Sequence, residues 1–177
     1  MCLCIASWTE KSGFIASEGR MMRQRGSEWT PAAEDVYKVH RLTPSLVVGI
    51  VGWAHVCDEL LASLQADLTT YDEAIVTGHM QRLTRKHPGA ALQAVLMGVR
   101  DGRVCAAMWG DFDPSRSFTP THPLNRPKAL AIGNADIAGE ASAMVRRGAP
   151  LNAVFEILAL KYDQVNINVQ VERVYAN

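Results

Sequence analysis

Apolar and polar positions change period several times along the chain, and the changes mark out its elements. CLCIASW suits a buried strand, the turn Thr9-Glu10-Lys11-Ser12-Gly13 is polar, and GFIAS is a second apolar run. Two such runs joined by a short Gly-containing turn predict a β-hairpin. Residues Arg20 to Asp35 are polar, contain Gly26, Ser27 and Pro31, and read as a loop. VYKVHRL and SLVVGIVG predict two strands around the turn Thr43-Pro44-Ser45. From Trp53 to Leu68 the period becomes helical, with Val56, Leu60, Leu61 and Leu64 recurring, and a second helix is predicted from Tyr71 to Arg85. ALQAVLMGV and VCAAMW flank an Asp101-Gly102 turn and predict another hairpin.

Asp111 to Pro127 holds four prolines and reads as a loop or irregular edge, and ALAIG as a short strand. Asn134 to Arg147 is predicted helical, with Gly148 at its C-terminal cap. Pro150 fits the start of a last helix running to about Tyr162. VNINVQVERVY alternates and predicts a half-buried strand. The order is strands, two helices, strands, two helices, strand. It predicts an α+β fold in which two sheets pack together with helices outside them. No internal repeat or low-complexity tail divides the chain, so one domain over residues 1–177 is expected.

Composition narrows the function. Lys plus Arg and Asp plus Glu are 18 each, so no electrostatic footprint for nucleic acid or an anionic membrane is expected. No apolar stretch approaches the roughly 20 residues of a membrane helix. The first apolar run is broken by Trp8, Thr9, Glu10 and Lys11, so no signal peptide is expected and the location predicted is cytoplasmic. Cys2, Cys4, Cys57 and Cys105 form no CxxC pair, and neither they nor the five histidines show metal-ligand spacing. No metal or cofactor is expected.

Several segments, in order, resemble the proteasome β-subunit family, most closely the peptidase subunit of the small bacterial ATP-dependent protease. GFIASEGR is similar to the family's second strand, which ends in a small residue, an acid and Gly. VYKVHRL is similar to its Lys-containing strand, and VVGIVGWAHVCDELLASL to the Gly-bearing strand that runs into the first helix. ALAIGNADIAGEASAMV resembles the strand, turn and helix of its C-terminal third, and DQVNINVQVERV its last strand. The resemblance covers nearly the whole chain. It implies the N-terminal-nucleophile (Ntn) hydrolase fold, a four-layer αββα sandwich of two antiparallel sheets covered by helix pairs. The family places its acid sixteen residues after its nucleophile, and counting back sixteen from Glu18 lands on Cys2.

The resemblance assigns a site residue by residue. Cys2 stands at the nucleophile, and it is small enough for Met1 to be trimmed away, which would expose an α-amine as general base. The plainer reading of Cys2 is a small buried strand residue. Lys38 would supply a cation that favours the thiolate, or else is a surface lysine on an edge strand. Glu18, where the family has Asp, would pair with Lys38, or else is a solvated turn acid. Gly52 would offer a backbone N–H to an oxyanion, and equally suits a tight strand-to-helix turn. Asn134, Asp163 and Asn166 stand where the family has Ser, Asp and Ser that support the amine and nucleophile. Asn134 also reads as a helix N-cap and Asp163 as a turn residue.

The activity implied is amide hydrolysis, foremost by a peptidase acting on peptides or unfolded protein within stacked homo-oligomeric rings. Such rings often depend on an ATPase unfoldase, and this chain has no P-loop, so any motor would be another protein. A retained Met1 would cap Cys2, which leaves open a non-catalytic ring or scaffold subunit. A small-molecule amidase of the same fold is the third option.

Overall fold

The computed structural model describes residues 3–25, 27–110, 120–122 and 128–176. Alternation in its first strand, β1 (Leu3–Trp8), sets the layering. Successive side chains on a strand point to opposite faces. Leu3 and Ile5 join one buried cluster, while Cys4, Ala6 and Trp8 join another. β1 pairs antiparallel with β2 (Ser12–Glu18), as the predicted hairpin requires.

The segment read as a loop from Arg20 to Asp35 is corrected. It forms a hairpin of β3 (Met21–Arg25) and β4 (Glu28–Ala33), a separate two-stranded sheet. β4 is mostly exposed, so no buried face imposes the apolar alternation that would reveal a strand. Pro31 is tolerated because a strand in a two-stranded sheet has one side free of ladder bonds.

β5 (Val39–Thr43) and β6 (Leu46–Val51) form the next hairpin. The strand starts after Lys38, a second departure from the sequence reading. α1 (Ala54–Asp67) and α2 (Glu73–Lys86) follow. Asp72 caps α2 by accepting from the Ala74 and Ile75 amides, at 2.8 and 3.3 Å. β7 (Gln93–Arg100) and β8 (Arg103–Gly110) make the hairpin expected around Asp101-Gly102. Then come β9 (Lys128–Gly133), α3 (Ala135–Arg146), α4 (Leu151–Lys161) and β10 (Val169–Tyr175). α3 ends as predicted at Gly148, whose φ is +84°. The Gly148 amide donates to Val145 O and the Ala149 amide to Met144 O, the Schellman pattern.

Among the described residues two four-stranded antiparallel sheets result, ordered β10-β2-β1-β9 and β5-β6-β7-β8. One core packs α1 and α2 on the second sheet, with Val56, Leu60 and Leu64 against Val48, Ile50 and Leu96. A second holds Cys4, Ile15 and Ile132 of the first sheet together with Val47, Val95 and Met97 of the second. A third sets Phe155, Leu158 and Ile137 of α3 and α4 on Leu3, Ile5 and Ala16. The last strand is shorter than its pattern suggested. Only Val174 within β10 is buried, because β10 lies at the edge of its sheet.

Candidate functional site

Glu18 ends β2, and its carboxylate is fully buried. A buried carboxylate needs a partner for its charge and donors for its lone pairs. Lys38, 4% exposed, forms an ion pair with Glu18 Oε1. The Leu3 amide donates to the same oxygen at 3.1 Å, and the Arg20 amide donates to Oε2 at 2.6 Å. Lys38 Nζ also donates to the Arg20 carbonyl at 2.7 Å. One carboxylate therefore gathers the beginning of β1, the turn after β2 and the residue before β5.

Both halves of the pair are anchored. The Lys38 amide donates to Gln170 Oε1 at 3.2 Å, Gln170 Nε2 donates to the Val36 carbonyl at 2.9 Å, and Ile50 N donates to Lys38 O at 2.9 Å. Behind Glu18, the Gly19 amide donates to Asn166 Oδ1 at 3.0 Å. Asn166 Nδ2 donates to the carbonyl and carboxylate of Glu34, at 2.9 and 2.7 Å, and Arg20 Nε pairs with Glu34 at 3.1 Å. These contacts close the base of the β3–β4 hairpin next to the pair. Asn166 and Arg20 hold the Glu34 carboxyl below its ordinary value of 4.5 by bonding to its charged form.

A cleft of about 590 Å³ opens beside Lys38. Met21, Met22 and Trp29 of the hairpin line it, with Trp53, Cys57 and Leu61 at the first helix. Gly52, Gln93 and Gly133 also face it. His40 lies in the lining, and burial lowers its pKa against a smaller opposing effect of Asp58, so its neutral form is favoured near pH 7. Gly52 has φ +149°, and an added Cβ would meet Leu92 Cα at 3.1 Å and Ala90 O at 3.2 Å. Both conformation and space demand glycine there.

The predicted residues divide into groups. Glu18 and Lys38 are in contact, Asn166 accepts from the amide of Gly19 next to Glu18, and Gly52 lines the same cleft as Lys38. Asn134 caps α3, accepting from the Asp136 and Ile137 amides at 3.1 and 3.4 Å. Asp163 is exposed, and its backbone carbonyl accepts from the Arg20 guanidinium. Cys2 lies outside the described residues, as does Met1. Gln93, Gln170, Arg20 and Glu34 were missed. Gln93 could have been noticed as the polar residue inside the apolar run ALQAVLMGV. Arg20 and Glu34 carry no such signal, since they lie fourteen positions apart in a polar segment. No group of three or more His, Cys, Asp or Glu among the described residues could hold a metal ion.

Among the solved structures that share this architecture are the following two. Eukaryotic HslV from Trypanosoma brucei aligns with a TM-score of 0.67 at 14% identity, over 98% of this chain and 99% of that one. The subunit in the helical assembly of the Anbu complex from Pseudomonas aeruginosa aligns with a TM-score of 0.68 at 14% identity, over 98% of this chain and 81% of that one. The chain has the HslV fold. The likeness carried by the motifs is thus a likeness of fold that extends over almost the entire chain. No family model and no curated protein matches the sequence. No helix among the described residues is long and apolar enough to cross a membrane.

Proposed function

We propose that the chain is an Ntn amide hydrolase of the proteasome-like kind, a peptidase with Cys2 as nucleophile after removal of Met1. The observation that carries this reading is the hydrogen bond from the Leu3 amide to Glu18. It ties the residue that follows Cys2 in the chain to the carboxylate that holds the Lys38 ammonium. An ammonium near a thiol favours the thiolate, which is the attacking species. The HslV-like fold and the cleft beside Lys38 support the same reading.

In this mechanism the α-amine of Cys2 takes the thiol proton, directly or through water, and sulfur attacks the peptide carbonyl carbon. The carbonyl π electrons move to oxygen, toward the amide of Gly52. The oxyanion collapses, the carbon–nitrogen bond breaks, and the leaving amine departs with the proton. A thioester remains. Water attacks it, releasing a carboxylic acid and restoring the thiol. A donor aimed at the oxyanion is worth about 3–4 kcal/mol of barrier.

The three stacked cores support a four-layer αββα sandwich and a single domain over residues 1–177. The assembly proposed is a set of stacked homo-oligomeric rings in the cytoplasm, acting on peptides or unfolded proteins fed by a separate ATPase. Because one neighbour is solved as a helical assembly, light scattering and negative-stain images of the purified protein must show closed particles of one mass. A non-catalytic ring subunit is the second reading, in which a retained Met1 caps Cys2 and removes the free amine, and Asn134, where the resemblance leads one to expect Ser, serves as the cap of α3.

The test begins with intact mass, which reports whether Met1 is gone. Met1-free protein is expected to hydrolyse a fluorogenic peptide amide. It should also react with a thiol-directed electrophile faster at Cys2 than at Cys4, Cys57 or Cys105, of which Cys4 is fully buried. The Cys2→Ala variant should keep its assembly and lose both hydrolysis and this labelling. Hydrolysis that survives Cys2→Ala rejects the assignment.

A further inference from the structure

Among the described residues, β9 lies at the edge of its sheet and pairs with β1 alone. The outward N–H and C=O groups of an edge strand have no strand partner. At Gly133 a single side chain meets both. The Gly133 amide donates to Gln93 Oε1 at 2.8 Å, and Gln93 Nε2 donates to Gly133 O at 3.2 Å. A carboxamide carries the donor and acceptor of a peptide group, so it closes the edge as another strand would.

Gln93 belongs to the other sheet. It opens β7 and pairs in register with Val51, the residue before Gly52. Its neighbour Leu92 is the backbone against which Gly52 packs. Across the cleft, Gly133 pairs in register with Leu3. Gln93 also lines a second cavity, of about 420 Å³, and so stands in the wall between that cavity and the cleft.

We propose that Gln93 is a positioning residue, whose carboxamide fixes the spacing between Gly52 and the start of β1 across the cleft. The inference rests on the hydrolase reading above. The apolar core shared by the two sheets holds them together through non-directional contacts. Such packing does not by itself fix the strand ends to a fraction of an ångström. A pair of oppositely directed hydrogen bonds at the cleft does. Acyl transfer needs this precision because nucleophile and oxyanion donor must address the same carbonyl.

The test compares two reactions at Cys2 in Met1-free protein. Alkylation by iodoacetamide requires the thiolate: sulfur attacks a saturated carbon, iodide leaves, and no oxyanion forms. Acylation by a peptide nitrophenyl ester requires the oxyanion donor as well, with nitrophenolate leaving. Gln93→Leu removes both hydrogen bonds. Gln93→Glu keeps the acceptor for the Gly133 amide but sets a second acceptor against the Gly133 carbonyl. Both variants are expected to acylate on the order of 10²-fold more slowly, the cost of about an ångström of misplacement, and to alkylate at the wild-type rate. If Gln93→Leu fails to fold, Gln93→Glu carries the test, with thermal melting as the control for folding. Acylation and alkylation falling by the same factor, or neither falling, overturns the positioning role. A wild-type protein that alkylates at Cys2 and never acylates overturns the hydrolase reading, and this inference with it.

Discussion

Removing either member of the Glu18–Lys38 pair should destabilise the protein, and Glu18→Gln should cost more than Lys38→Met. Neither side chain is solvated, at 0% and 4% exposure, so the small values typical of surface pairs do not apply. Breaking a buried pair by removing one partner costs roughly 3–5 kcal/mol, because the other charge stays buried. The two survivors differ. After Lys38→Met the carboxylate keeps the Leu3 and Arg20 amides as donors, whereas after Glu18→Gln the ammonium keeps the Arg20 carbonyl. Glutamine also offers one oxygen where two backbone donors need acceptors. We expect about 4 kcal/mol for Glu18→Gln and about 2–3 kcal/mol for Lys38→Met. For a chain of this length the first corresponds to a fall in Tm of roughly 8–16 °C. The double variant should be more stable than the sum of the single losses predicts. Urea unfolding followed by tryptophan fluorescence, at one fixed protein concentration so that assembly does not shift the midpoint, measures all four proteins. Strict additivity, or a loss below about 1 kcal/mol for Glu18→Gln, would refute the argument.

Two further outcomes follow from local geometry. Gly52→Ala should lose about 1–3 kcal/mol in the same unfolding assay, since the residue has φ +149° and its new Cβ meets the backbone of Ala90 and Leu92; wild-type stability would show that the turn relaxes freely. Glu59 is held at about 2 by Lys86 foremost, with His87 and Arg82 contributing, against an ordinary 4.5. A depressed folded-state pKa gives stability that is present above 4.5 and lost as pH falls toward 2. The stability gap between wild type and Glu59→Gln should therefore be open at neutral pH and close across that window, and a gap independent of pH would contradict it.

The fold was largely legible because most elements bury one face and therefore carry its period. α1 and α2 show Val56, Leu60, Leu64, Val76, Met80 and Leu83 at helical spacing, and all are buried. The β7–β8 hairpin combines apolar runs with an Asp-Gly turn. The β3–β4 hairpin was illegible because its stability lies in backbone pairing and in its closed base, and neither leaves a periodic trace. β10 misled in the opposite sense, since Val171 and Tyr175 alternate correctly but are exposed on an edge strand. In the candidate site, Glu18 and Lys38 were found through a resemblance, and the structure joins them twenty positions apart. Gln93 and Gln170 act through carboxamides that bridge segments more than a hundred residues or a whole sheet away, and one sequence contains no sign of such partners.

The glutamate at position 18, where the resemblance leads one to expect aspartate, illustrates how a local departure is absorbed. One more methylene would push an ammonium outward if the backbone stayed fixed. Here the carboxylate turns back to receive the Leu3 amide on one oxygen and the Arg20 amide on the other, so its orientation is set by the strand it leaves and the turn it enters. Lys38 precedes β5; Gln170 of β10 grips its amide and Ile50 of β6 donates to its carbonyl. The pairing of β5 with β6 begins at Val39 and Gly49, and it continues undisturbed until the irregularity between Arg41 and Thr43. The longer acid is thus accommodated by its own orientation, set by two backbone amides, while Lys38 is held at its amide and its carbonyl by the neighbouring strands.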